Sequence, residues 1–102
     1  MSIEKRYLKT RPVCKVTFNI PEDIGNSSER AYLVGEFNNW STSANPMKRL
    51  KNGSFKATLD LESGRAYQFR YLLGEDHWES DSGADSQIPT PYGDGYNSIL
   101  VL

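Results

Sequence analysis

"VCKVTFNI", residues 13–20, alternates between two kinds of side chain. Its apolar residues Cys14, Val16, Phe18 and Ile20 fall on one side of an extended chain, and the residues between them are polar. A period of two predicts a β-strand that has one face in the core and the other in solvent. The same pattern places the thiol of Cys14 in the core, where an inert cysteine is far commoner than a nucleophile or a metal ligand.

Similar patterns recur on the C-terminal side of this stretch. "MKRL" and "SFKATLDL" flank "KNG", which predicts a hairpin, and "RAYQFRYLL" would bury Tyr67, Phe69, Tyr71 and Leu73. "RAYLVGEF", "GEDHWESD" and "SILVL" add shorter strands, for a total of six to eight. A turn or two of helix is predicted only in "IEKRYLK", residues 3–9. The fold class is therefore all-β, with two antiparallel sheets packed face to face.

Length and composition predict one soluble domain. The chain has 102 residues, of which 37% are hydrophobic and 25% charged, and its formal net charge is -1. That charge gives no field to attract nucleic acid or an anionic membrane, so neither is expected as a partner. A single cysteine and the lack of a long apolar stretch favour a cytoplasmic location. The two N-x-S sequons, at Asn26 and Asn39, are interpreted as chance matches.

Residues for catalysis are sparse. Cys14 and His77 are the only cysteine and histidine, they lie far apart in sequence, and no metal, nucleotide or hydrolase motif occurs. A run of acids could supply a glycosidase pair, but it is interpreted as a solvated sheet edge. These acids are Glu75, Asp76, Glu79, Asp81 and Asp85. We therefore expect no enzyme activity, no catalytic residues, no metal and no cofactor.

Four aromatic residues stand outside the core pattern. Trp40 follows two loop asparagines, Trp78 lies among acids, and Tyr92 and Tyr96 flank a glycine-rich turn. A flat aromatic ring can stack on the C–H face of a pyranose while amides and guanidinium groups bond its hydroxyls. The structural alternative is that one tryptophan closes an end of the sandwich. Two such residues together favour a sugar site.

The order of these motifs resembles a known family. "YLVGEFNNW", Met47, "NGSFKATLDLESGRAYQFRYLLGEDHWESD" and "YNSILVL" follow one another as in the early set domain of isoamylases and glycogen branching enzymes. The chain is also similar to the glycogen-binding module of the AMP-activated protein kinase β subunit. The resemblance runs from Val13 to Leu102 and leaves residues 1–12 as an N-terminal extension. It implies an immunoglobulin-like sandwich for residues 13–102.

The resemblance also implies the residues of a carbohydrate site. Trp40 and Trp78 match the stacking platform of the glycogen-binding members, Arg70 matches a basic residue that is usually lysine, and Asn97 matches an asparagine before the last strand. Where those members clasp the glucan with a leucine and a threonine, this chain has Gly93 and Gly95. Tyr92 or Tyr96 could substitute, and lower affinity for oligosaccharides is expected.

Two functions follow as hypotheses. The first is a non-catalytic module for α-1,4-linked glucans such as glycogen, starch or maltodextrin, in a chain too short for the catalytic barrel that accompanies this domain in enzymes. Such a module could target a glycogen-metabolising enzyme to its substrate. The second is a protein-interaction or self-associating sandwich without sugar affinity. This hypothesis is based on the missing clasp and on three apolar residues of the N-terminal segment, Ile3, Tyr7 and Leu8.

Overall fold

The computed structural model describes residues 1–25, 28–91 and 95–102 of the protein. In these ranges nine strands accompany two short helical turns, α1 (Glu22–Gly25) and a 3₁₀ helix (Glu36–Asn38). The strands are β1 (Ser2–Tyr7), β2 (Val13–Ile20), β3 (Ala31–Gly35), β4 (Lys48–Arg49), β5 (Phe55–Glu62), β6 (Ala66–Leu73), β7 (His77–Glu79), β8 (Ser86–Pro89) and β9 (Tyr96–Val101). No helix in the described part of the chain is long and apolar enough to cross a membrane.

The strands form two antiparallel sheets. The first has the order β1-β2-β5-β4. The second has the order β3-β6-β9-β8, and β7 also pairs with β6. Strand β6 therefore lies at the centre of the second sheet and pairs with three neighbours, β3, β7 and β9. This central position decides which side chains meet on the outer face of that sheet.

The core lies between the inner faces of the two sheets. The four alternate apolar residues of β2 are fully buried, and Tyr67, Phe69, Tyr71 and Leu73 of β6 are buried opposite them. Aromatic rings interlock edge to face: the ring centroids of Phe18 and Phe69 are 5.3 Å apart, and those of Phe69 and Tyr71 are 5.6 Å apart. The predicted all-β, immunoglobulin-like antiparallel sandwich is confirmed, and so is the burial of Cys14.

Two strands differ from the sequence expectation. The helical turns predicted within residues 3–9 are wrong, because Ser2–Tyr7 pairs with β2 along its whole length. This pairing lets Ile3 pack against the core, which a short isolated helix could not achieve. Strand β8 was not predicted because its proline argued against a strand. The structure resolves this conflict by placing Pro89 at the end of an edge strand, where no ladder N–H is needed.

The apolar residues of the N-terminal segment are partly used within the sandwich. Ile3 packs against the core, and Leu8 is half-buried and donates its backbone N–H to Val13 O at 3.0 Å. Tyr7 alone of the three is largely exposed, at 53%. Ile3 and Leu8 therefore no longer support the interaction hypothesis, which depends on Tyr7 and the sheet edges.

One ion pair connects the two sheets. Lys5 of β1 donates through Nζ to Asp85 at 2.8 and 2.9 Å and to the backbone oxygen of Val101 at 2.9 Å. Asp85 also accepts the backbone N–H of Val101 at 2.8 Å. Burial acts to raise the pKa of Asp85, but the hydrogen bonds from Lys5 and Val101 and the charge of Lys5 outweigh it and lower the pKa below its ordinary value.

Acid should therefore weaken the fold through Asp85. A carboxylate with a lowered folded pKa stabilises the fold above its unfolded pKa of about 3.9, and this contribution is lost as pH falls through the folded value. We expect urea denaturation to show a larger loss of stability between roughly pH 5 and pH 2 for the wild type than for Asp85→Asn. The difference should be small because the pair is partly exposed. Equal acid sensitivity of the two proteins would contradict this assignment.

Candidate functional site

A groove of about 760 Å³ lies on the outer face of the second sheet. It is larger than two other clefts on the described surface, which measure about 470 and 480 Å³. Its walls combine two indole rings with charged and amide side chains. The lining residues are Glu36, Trp40, Gln68, Arg70, Trp78, Thr90, Pro91 and Asn97.

Strand alternation places the polar floor of the groove. Because Tyr67, Phe69 and Tyr71 point into the core, Gln68 and Arg70 lie on the opposite face of β6. On the neighbouring β9, Asn97 lies on the same outer face, and its Nδ2 donates to Gln68 Oε1 at 3.1 Å. Asn97 is only 6% exposed, so this hydrogen bond fixes the amide orientation beneath the groove.

The turn after β3 begins at a position that only glycine fits. A Cβ at Gly35 would lie 2.6 Å from Gln68 O and 2.7 Å from Phe69 Cβ, so any side chain would force β3 and β6 apart. The next residue, Glu36, accepts the backbone N–H of Gln68 through Oε1 at 2.6 Å. A side chain thus continues the hydrogen bonding of β6 where the pairing with β3 has ended.

Asn38 holds the same turn from inside. Its Oδ1 accepts the N–H of Gly35 at 3.1 Å, and its Nδ2 donates to Leu33 O at 2.9 Å and to Asn45 Oδ1 at 2.8 Å. The chain then turns through two left-handed residues, Asn39 with φ 56° and Trp40 with φ 58°. Positive φ is rare for a bulky residue, and strain of this kind persists only where the surroundings over-determine it. The orientation of Trp40 is therefore set by the turn.

The second indole comes from β7. The β6–β7 register pairs Trp78 with Leu72, so the ring lies on the same outer face as Arg70. The Cζ atom of Arg70 is 5.5 Å from the centroid of the Trp78 ring, within cation–π range. Trp40 and Trp78 remain 39% and 37% exposed, although both line the groove. Neither ring closes an end of the sandwich.

The sequence profile of carbohydrate-binding module 48, the isoamylase N-terminal domain, matches residues 25–88. The chain belongs to this family. The match covers well over half of the protein and includes Trp40, Arg70 and Trp78, while Asn97 lies beyond it. A search of curated proteins found no match. The resemblance to the isoamylase family is confirmed, and the chain carries a carbohydrate-binding module of a non-catalytic type.

The module brings four of the five predicted site residues together. Trp40, Arg70, Trp78 and Asn97 line one groove. Tyr96 does not line it: it is 53% exposed and faces a separate cleft beside Met1 and Ile24. Tyr92 and Gly93, which were predicted in the region of the missing clasp, lie outside the described residues.

Four lining residues of the module were not predicted. Glu36 and Gln68 carried a usable signal, because Glu36 lies within "VGEFNNW" and Gln68 alternates with Arg70 on the polar face of β6. Thr90 and Pro91 follow β8 and reach the groove only because β8 pairs with β9. Nothing in the local sequence pattern indicates that pairing.

The guanidinium of Arg70 makes no hydrogen bond or ion pair with another residue in the described part of the module. Its Nε is buried without a partner there, so the guanidinium is held by Trp78 and by packing. Gly95 has φ +105°, and a Cβ there would lie 3.0 Å from Arg70 Nη2. Glycine at this position therefore leaves room for the arginine side chain next to the groove.

The single histidine is not among the residues that line the groove. His77 is exposed, and its Nε2 lies 2.8 Å from Glu79 Oε1. Within residues 1–25, 28–91 and 95–102, no group of three or more His, Cys, Asp or Glu residues could hold a metal ion.

The interpretation of the acidic run as a solvated edge is wrong for Asp81. This residue is fully buried and accepts the hydroxyl of Tyr71 at 2.6 Å and the N–H of Gly83 at 2.7 Å. Its backbone N–H donates to Ser98 Oγ at 2.7 Å. Burial, and then the charge and hydrogen bonding of Asp81, raise the pKa of Tyr71 well above its ordinary value. Tyr71 therefore stays neutral and donates to the carboxylate.

Proposed function

We propose that this chain binds α-1,4-linked glucans, such as glycogen, starch or maltodextrin, in the groove, and that it does so without cleaving them. One observation carries the proposal. Two partly exposed indoles, Trp40 and Trp78, line the same groove as the side chains of Arg70 and Asn97. Exposed aromatic surface beside fixed polar groups matches a ligand that has an apolar face and a polar rim.

Each type of lining residue has a defined contribution. The indoles offer flat apolar surface to the C–H faces of glucose units. Arg70 offers N–H donors, and Glu36 and Gln68 offer oxygen and amide groups to the hydroxyls. Because Asn97 and Glu36 already hydrogen-bond to Gln68, these polar groups are oriented before the sugar arrives. Preorganised groups lose less entropy on binding than mobile ones.

The proposed binding is weak. The groove is open to solvent, and each stacking contact or hydrogen bond contributes roughly 1 kcal/mol, so a few together give affinities on the order of micromolar to millimolar. Gly95 provides no side chain that could close over the sugar.

The groove also supports a role without hydrolysis. Glycosidases generally use two carboxyl groups that flank the scissile bond. Among the described residues that line this groove, Glu36 is the one carboxylate, and its Oε1 is already engaged by the N–H of Gln68. We therefore expect no release of reducing sugar from maltodextrin.

Titration with maltoheptaose tests the proposal. We expect a change in tryptophan fluorescence and shifts of the amide signals of β6, β7 and β9. The dissociation constant should be on the order of micromolar to millimolar. The β-linked cellohexaose serves as a ligand control, because its straighter chain presents successive rings differently. No response to maltoheptaose at millimolar concentration, or equal affinity for both sugars, would overturn the proposal.

A further inference from the structure

A second cleft lies beside the groove on the same face of the second sheet. Its volume is about 480 Å³. Its walls come from the segment before β3, from the turn after Trp40, and from the β6–β7 connection. The lining residues are Ser28, Glu29, Arg30, Tyr32, Thr42, Leu72, Gly74 and Glu75.

Strand register places the two sites next to each other on the outer face of the second sheet. Tyr32 pairs with Leu72, and Leu72 pairs with Trp78, so these residues form one row across β3, β6 and β7. Neighbouring strands lie about 4.8 Å apart, so the row spans roughly 10 Å. Trp78 at one end of the row lines the groove, while Tyr32 and Leu72 line the second cleft. Arg70 in the groove is only two residues, about 7 Å, from Leu72.

A second wall is also common to both sites. Trp40 lines the groove, and Thr42, two residues later, lines the second cleft. The backbone between them is held by a hydrogen bond from Ala44 N to Ser41 Oγ at 3.0 Å. An isolated bridge between Tyr32 and Pro46 then fixes this loop against β3. The loop from Trp40 to Thr42 therefore borders both sites.

The chemistry of the second cleft suits a neutral polyol. Half-buried Tyr32 provides most of its apolar floor, since Leu72 is only 5% exposed, and Thr42 adds a hydroxyl. Arg30 and Glu75 are exposed, and neither forms an ion pair or a side-chain hydrogen bond with another residue that the structure describes. A cleft with one guanidinium and carboxylates of Glu29 and Glu75 does not favour an anionic ligand, but it offers both donors and acceptors to sugar hydroxyls.

We propose that this cleft is a second subsite for the same glucan, so that the module selects long chains over short oligosaccharides. The inference rests on the proposed function, because the groove is the primary site. Stacking between Trp40 and Trp78 anchors one part of the chain. Glucose units further along lie over Tyr32 and Leu72 and bond to Arg30 and Glu75.

Comparing a short and a long glucan tests the second subsite. Maltotriose and maltoheptaose are titrated into the wild type and into the double variant Arg30→Ala with Glu75→Ala, whose exposed positions should tolerate alanine. We expect the variant to bind maltoheptaose at least about fivefold more weakly than the wild type, the value of one lost hydrogen bond, and to bind maltotriose equally well. A longer sugar can bind in more registers and therefore has a statistical advantage in affinity. Comparing the two proteins with the same sugar removes this advantage.

Control variants separate this effect from charge and folding. The double variant Lys15→Ala with Asp60→Ala also removes one positive and one negative charge. These two exposed residues pair directly with each other on the first sheet, so their replacement should leave the affinities for both sugars unchanged. Tyr32→Ala, checked for folding by its amide spectrum, should reproduce the loss for maltoheptaose alone. Unchanged maltoheptaose affinity in the subsite variants, or a parallel loss for maltotriose, overturns the second subsite while the groove stands. No binding of either sugar by the wild type overturns the proposed function and this inference together.

Discussion

Replacing both Trp40 and Trp78 with alanine should weaken maltoheptaose binding on the order of 100-fold. A sugar face that covers about 60 Å² of each ring gains about 1.5 kcal/mol at 25 cal/mol per Å², so the double variant should bind on the order of 100-fold more weakly. A starting dissociation constant on the order of micromolar would rise to about 0.1 mM, and one on the order of millimolar would rise beyond the reach of calorimetry. Each single variant should show about a tenfold loss.

A matched aromatic substitution serves as the control for this result. Tyr7→Ala removes an exposed ring from β1, in the first sheet and far from the groove in the fold, and should bind like the wild type. Stability should change little in the tryptophan variants, because both rings are more than one third exposed. Unchanged affinity in the double variant would exclude the groove as the glucan site.

Replacing Asp81 with alanine should cause the largest loss of stability. The substitution leaves the hydroxyl of Tyr71 and the N–H of Gly83 without their acceptor, and Tyr71 is fully buried. Hydrogen bonds to a charged group are worth about 1.5–3 kcal/mol each, so losing these two should lower the free energy of unfolding by roughly 3–6 kcal/mol. For a domain of this size the melting temperature should fall by at least about 12 °C.

Urea denaturation of Asp81→Ala, compared with that of Asp76→Ala, measures this loss of stability. Asp76 belongs to the same acidic run but is exposed, so its replacement should change the unfolding free energy by less than about 0.5 kcal/mol. Tyr71→Phe offers a second check. The double variant Tyr71→Phe with Asp81→Ala should lose less stability than the sum of the two single changes, because the hydroxyl and carboxylate stabilise each other. Equal stability of the two aspartate variants would mean that Asp81 is solvated after all.

Asp81 also lies in a hydrogen-bond network next to one wall of the groove. Its backbone oxygen accepts Gln87 Nε2 at 2.6 Å, and Ser98 Oγ donates to Gln87 Oε1 at 3.1 Å. These bonds tie the connection after β7 to β8 and β9. Thr90 and Pro91, which follow β8, form one wall of the groove. The backbone around Asp81 therefore also supports this wall of the groove.

The fold and the two tryptophans of the candidate site could be predicted from local pattern, whereas the site roles of Arg70 and Asn97 came from the family resemblance. Alternation in β2, β5 and β6 depends only on neighbours two positions apart, so it identifies the strands and their inner faces. The aromatic residues at positions 40 and 78 stood out because they broke that pattern. Strands β1 and β8 were missed because their pairing partners, not their own residues, make them strands.

Sequence alone therefore determined the fold class, the core face of each long strand, and Trp40, Trp78, Arg70 and Asn97 as candidates for one surface. Only the tertiary structure decided that Trp40, Trp78, Arg70 and Asn97 meet in one groove, that Tyr96 lies elsewhere, and that Asp81 is buried. The physical reason is the range of the interactions. Side-chain alternation is a property of consecutive residues, whereas a groove is made by strands that sheet order brings together from distant parts of the chain.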